Sequence, residues 1–111
     1  MMIQQLLEQL DSKTVQFKDI LAYIEEHYTY TASAFQNGAQ YNAAHENQGS
    51  ARVLSFARLE GLPKEDTLKL FAEHYEAVLN TPDGVDHQNI RQFMQHGWEG
   101  VKFENPILTK K

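Results

Sequence analysis

A chain of 111 residues has room for one hydrophobic core and not for two. With 41% hydrophobic and 23% charged residues it reads as an ordinary folded domain, and no apolar run approaches the ~20 residues needed to cross a bilayer. A formal net charge of -5 and the lack of cysteine argue against a nucleic-acid binder and exclude a disulfide framework, a thiolate metal site and a cysteine nucleophile.

The first residues, MMIQQLLEQLD, carry no basic n-region and no small-residue cleavage site, so a cytoplasmic protein is expected. Ile3, Leu6, Leu7 and Leu10 stand at helical spacing, which predicts a short amphipathic helix within residues 1–12. Phe17, Ile20, Leu21, Ile24 and Tyr28 predict a second helix, with Val15 and Phe17 as an alternative extended start. From Tyr28 to Gly38 the pattern breaks into a single helical turn, capped by Thr31 and ended by Gly38. Ala39 to Gln48 is polar and reads as a surface loop, the longest irregular stretch and a candidate site.

Helix resumes from Ser50 to Glu60, with Val53, Phe56 and Ala57 on its apolar side and Leu54 and Leu59 widening it. Gly61 fits the left-handed position after a helix, with Leu62 folding back on Ala57 or Phe56, and Pro63 sits where its missing N–H does no harm. One long helix is expected from Lys64 to Leu79, carrying Leu68, Phe71, Ala72, Tyr75, Val78 and Leu79 inward and a Glu65–Lys69 pair outside. After the turn at Asn80 to Gly84, Asp86 is placed to cap a helix over residues 87–96, its carboxylate accepting from Gln88 or Asn89. Ile90, Phe93 and Met94 form the apolar stripe of that helix. His87, Arg91 and Gln95 form its polar side, and Gly97 turns Trp98 back onto Phe93. Val101 and Phe103 alternate with Lys102 and Glu104, which allows one short strand paired near Val15 or Tyr30, and residues 105–111 read as a loose tail.

Three blocks of this chain resemble the HopJ type III effector family. The first is Tyr28, Thr31, Phe35, Asn37 and Gly38; the second is Asn42, Asn47, Gly49, Ser50, Phe56 and Ala57. The third is Asp86, His87, Asn89, Ile90, Arg91, Phe93, Met94, Gly97 and Trp98. Ala32 stands where the family usually has proline, and Ala51 and Arg52 where it often has a Cys-Lys pair. The resemblance implies no particular activity. Its label implies delivery through a type III secretion system, for which a flexible, Ser-rich N-terminus is expected, whereas residues 2–10 read as helix.

Two regions could carry function. Asp86, His87, Asn89 and Arg91 at a helix start could hold an anion, or His87 could work with Asp86 as an acid–base pair; a plain helix cap is the commoner role of such residues. Asn47, Gln48, Gly49, Ser50 and Arg52 could cradle a phosphate, although no Walker-type spacing is present and Gly49 also suits close helix packing. Asn37 and Asn42 join these as ligand-binding candidates through the resemblance. His45 and Glu46, with His27, Glu26, His74, Glu73 or Glu76, lack metal-ligand spacing, so no metal and no cofactor are expected. The five tyrosines read as core and rim and not as a stacking platform.

The fold expected is mainly α: one domain over 1–111, with five to six short helices and at most one short β-element near the C-terminus. The function expected is binding of a protein partner or a small anionic ligand by a monomer or weak dimer, without nucleic acid or membrane. The alternative is a small enzyme using Asp86 and His87.

Overall fold

The computed structural model describes residues 3–111. Met1, Met2 and the side chain of Ile3, where the sequence starts the first apolar face, lie outside the described residues. The described residues form helices α1 (Ile3–Asp11), α2 (Phe17–His27), α3 (Gln48–Leu59), α4 (Lys64–Lys69), α5 (Glu73–Asn80) and α6 (Gln88–His96). A 3-10 turn (Gly97–Gly100) follows α6. Five three-residue strands complete the fold: β1 (Tyr28–Tyr30), β2 (Phe35–Asn37) and β3 (Gln40–Asn42) between α2 and α3, and β4 (Val101–Phe103) and β5 (Leu108–Lys110) after the 3-10 turn.

The helical periodicities read from the sequence set the core. Ile20 and Ile24 of α2, Val53, Leu54, Phe56 and Ala57 of α3, and Ile90 and Phe93 of α6 are all buried in one cluster. Gly61 has a positive φ of 69°, and the α3 terminus closes as a Schellman turn, with Leu62 N–H donating to Ala57 O at 2.9 Å and Gly61 N–H to Arg58 O at 3.1 Å. At the end of α6, Gly97 N–H donates to Phe93 O. Trp98 packs edge-on against Phe93 with ring centroids 4.9 Å apart, and its indole N–H donates to Leu62 O at 3.0 Å.

The largest correction concerns β-structure. Two small antiparallel sheets are present instead of a single short element: β1 pairs with β5, and β2 lies between β3 and β4. The expected turn over 31–38 and the loop over 39–48 instead contain the β2–β3 hairpin over 35–42, with Phe35 opposite Asn42 and Asn37 opposite Gln40. The partner of β4 is β2, with Asn37 opposite Val101, and not the chain near Val15 or Tyr30. Strands of three residues are too short to show a period of two against background. Gly38 makes the hairpin fit: a Cβ there would lie 2.5 Å from both Gln92 Oε1 and His96 Cδ2, and its φ is +59°. Nor is the tail loose. Ile107 and Leu108 are 2% and 6% exposed, and β5 runs antiparallel to β1 with Tyr30 opposite Leu108.

The single helix expected over 64–79 is broken, because Ala72 takes φ 53° and ψ -123° between α4 and α5. Leu68, Leu70 and Phe71 are all buried. The break, set by the backbone at Ala72, ends α4 at Lys69 and lets Leu70 and Phe71 enter the core beside Leu68. It also turns Leu79 outward at 52% exposure, and Leu59 on α3 is likewise exposed at 58%. Lys69 pairs with Asp11 and Asp66, not with Glu65. No helix among the described residues is long and apolar enough to cross a membrane.

Candidate functional site

The asparagines of the three sequence blocks meet in space. Asn37 and Asn42 come from the hairpin and Asn89 from the first turn of α6; the first two are fully buried and Asn89 is nearly so. Asn37 Nδ2 donates to Asn89 O at 2.8 Å and to Asn89 Oδ1 at 3.0 Å. Asn89 Nδ2 donates to Asn42 Oδ1 at 3.0 Å, and Asn47 Nδ2 donates to the same oxygen at 2.7 Å. Asn37 Oδ1 is buried and accepts no hydrogen bond. This amide network ties the hairpin, the start of α3 and the start of α6 together, since each buried amide finds its partner on another segment.

Above the network lies an open cleft of about 420 Å³. Asn47, Gly49 and Ser50 line it from the start of α3, and His87, Gln88, Asn89 and Ile90 from the start of α6. Gln40, Phe17, Phe71 and His74 complete the wall. Both helices begin on a non-glycine residue in left-handed backbone, Asn47 at φ 50° and His87 at φ 50°, and neither side chain caps its own helix. The first N–H groups of a helix have no partner within it, so two sets of backbone donors open toward one space. Ala72, which precedes Glu73 and His74, is a further left-handed residue at φ 53°. Backbone strain of this kind persists where the surroundings enforce it and often marks a functional site.

The rings of His74 and His87 lie 5.1 Å apart, and His74 also meets Phe17 edge-on at 4.9 Å. Gly49 packs beside the Phe17 ring, where even a Cβ would stand at an ordinary van der Waals distance of 3.4 Å from it. No carboxylate lines the cleft. The nearest in sequence are engaged elsewhere, Glu73 Oε1 accepting from Phe17 N–H at 2.7 Å and Asp86 Oδ1 from Arg91 Nη2 at 2.7 Å.

Asp86 does not cap α6; His87 occupies that position and the Asp86 carboxylate turns to Arg91. The hydrogen bond from Arg91 is the main reason its carboxyl is held below the usual carboxylate range. Arg91 in turn is 8% exposed, so it does not belong to a polar outer face with Gln95. Of the predicted residues, Asn47, Gly49, Ser50, His87 and Asn89 share the cleft, Asn37 and Asn42 underlie it, and Asp86 and Arg91 stand outside it. Sequence reasoning named His74 only as a metal donor without ligand spacing and Gln40 only as part of the 39–48 loop, and it missed Phe17 and Phe71 as site residues. His74 was hidden because it is 13 positions before His87 on what reads as an unbroken helix, and only the break at Ala72 swings it into place. Among the described residues, no three or more His, Cys, Asp or Glu side chains converge as metal donors.

The HopJ type III effector protein family model matches residues 3–108. Among solved structures the chain is similar to one described as "Crystal structure of unknown function protein VPA0580", with a TM-score of 0.90 and 46% identity over 100% of this chain and 95% of that one. A search of curated proteins finds no match. The chain belongs to the HopJ type III effector family.

Proposed function

We propose that this HopJ family member is a binding protein for a small anionic ligand, taken in the cleft between the first turns of α3 and α6. The observation that carries the reading is a lining without a single carboxylate, in a chain of 15 acidic and 10 basic residues, at the place where two helix starts point their backbone donors. Two imidazoles and the Ser50 hydroxyl supply further donors, while the amides of Gln40, Asn47 and Gln88 each already donate one bond elsewhere, to Tyr41 O, Asn42 Oδ1 and Val85 O. A volume of about 420 Å³ suits a small molecule better than a protein segment. The Asp86 carboxylate is hydrogen-bonded to Arg91 and feels His87 only as a lesser, through-space charge, which speaks against an acid–base pair of the two.

The test is a titration of ¹⁵N-labelled protein with sodium sulfate and, separately, with a phosphomonoester, at constant ionic strength. Saturable amide shifts are expected at Gly49, Ser50, Gln88 and Asn89. Shifts that fail to saturate, or that centre on Lys110 and Lys111, would sink the reading.

A further inference from the structure

The two histidines of the cleft are set where a proton on one is felt by the other. His74 projects from the first turn of α5 and His87 stands at the start of α6, with ring centroids 5.1 Å apart and planes tilted by 36°. An imidazole changes charge between about pH 5 and 8, so the pair carries a variable charge within the ordinary range of cell pH.

Apart from Asp86, the surroundings offer little to offset that charge. From α2 the Phe17 ring meets His74, and from the start of α3 come Asn47, Gly49 and Ser50, all uncharged. β3 contributes Gln40, also uncharged. On α5 the Glu73 carboxylate accepts from Phe17 N–H, and before α6 the Asp86 carboxylate, hydrogen-bonded to Arg91, is a negative charge that also acts on His87. Glu46, just before Asn47, turns its carboxylate back to Ala43 N–H. An anion in the cleft would therefore be the natural counter-charge for a protonated pair.

We infer that the His74–His87 pair couples ligand capture to proton uptake, so that an anion enters the cleft together with a proton and binds more tightly in mildly acid solution. The inference rests on the anion-binding reading of the cleft and adds its regulation. Binding in turn favours the protonated pair, because linkage is reciprocal.

Sulfate is the suitable probe, since it keeps its charge across this range. Isothermal titration of the intact chain at pH 5.5 and 7.5 should give an affinity about tenfold higher at the lower pH, the factor that one unit of pKa displacement represents. Repeating it in two buffers of different ionisation enthalpy should reveal net proton uptake. His74→Gln and His87→Gln should each flatten the pH dependence, whereas His45→Gln and His96→Gln should leave it. At pH 6.5, sulfate should also move the ring C–H resonances of His74 and His87 in the wild type toward their acid positions, a readout that needs no variant. Sulfate binding that is equal at both pH values, or whose pH dependence survives both cleft variants, overturns the coupling and leaves the anion site standing. No sulfate binding at either pH overturns both.

Discussion

Arg91 reaches back across the turn before α6 to hold Asp86 at two points: its Nε donates to Asp86 O at 2.6 Å and its Nη2 to Asp86 Oδ1 at 2.7 Å. The same guanidinium donates to Thr81 O at 2.8 Å, so one nearly buried side chain fastens the whole 81–86 segment. Arg91→Ala should destabilise the protein by roughly 2 to 4 kcal/mol, as expected when hydrogen bonds to a charged group are lost. Urea unfolding followed by circular dichroism measures this. In a double-mutant cycle, Asp86→Ala should have much less effect once Arg91 is gone. A helix cap would show no such coupling. Because the native Asp86 carboxyl is held below its ordinary value of 3.8, the coupling should be complete above that pH and fade as acid titrates the lowered native value.

Trp98 is half-buried, between the Phe93 ring at 4.9 Å and the Arg58 guanidinium at 5.0 Å. Truncation to alanine should cost about 3 kcal/mol, the low end for a large aromatic because one face stays wet. Trp98→Phe keeps the ring contact and loses the bond to Leu62 O, which should cost about 1 kcal/mol. Denaturation curves for the two variants separate these contributions, and equal losses would show that the indole N–H dominates.

Periodicity made the helices legible and concealed what joins them. The glycine stops at Gly61 and Gly97 could be read because only a few residue types suit those backbone shapes, and Trp98 against Phe93 followed from the second. The strands could not be read, because pairing Asn37 with Val101 is a contact across 64 positions that no local pattern encodes. For the same reason the candidate site was visible only as separate polar residues: Asn37, Asn42, Asn47 and Asn89 lie on four segments, and the network exists once the hairpin is folded. Asp86 misled because aspartate before a helix usually caps it, and a buried arginine five residues later competes for the same carboxylate.

The C-terminal strand should be part of the folding unit. Thr31 N–H donates to Ile107 O at 2.8 Å and Lys111 N–H to His27 O at 3.1 Å, on either side of the β1–β5 ladder. Deleting residues 107–111 removes two buried aliphatic side chains, each worth roughly 2 to 5 kcal/mol in such sites. A chain ending at Pro106 should be largely unfolded at 37 °C by circular dichroism. In the full chain the amides of Tyr28 to Thr31 should exchange slowly with solvent.

Tyr28 should set an alkaline limit on stability. Its hydroxyl donates to Glu60 Oε1 at 2.8 Å, and burial first, then that carboxylate, push its pKa up to about 12 from 10.0. A raised acid pKa means that the native state favours the neutral phenol. The contribution is therefore full below pH 10 and is lost as pH rises toward 12. The stability difference between wild type and Tyr28→Phe should move in favour of Tyr28→Phe over that window, read as paired melting temperatures at pH 9 and 11.

His87 should be a residue whose replacement stabilises the fold and weakens the site. With φ 50° and ψ 48° it holds a conformation that costs an L-residue roughly 1 to 2 kcal/mol, a cost that glycine largely avoids. Glycine also returns freedom to the unfolded chain, which offsets part of that gain, and it serves nearly as well at a helix start. His87→Gly should therefore unfold at the same or a slightly higher temperature than wild type, by at most about 1 kcal/mol in stability. If the cleft binds anions through the His74–His87 pair, the same variant should lose affinity for sulfate at pH 5.5 and keep little of its pH dependence. A clear drop in melting temperature would show that the contact with the His74 ring outweighs the backbone strain. Unchanged sulfate binding at pH 5.5 would place the ligand away from His87 and assign the left-handed residue to packing alone.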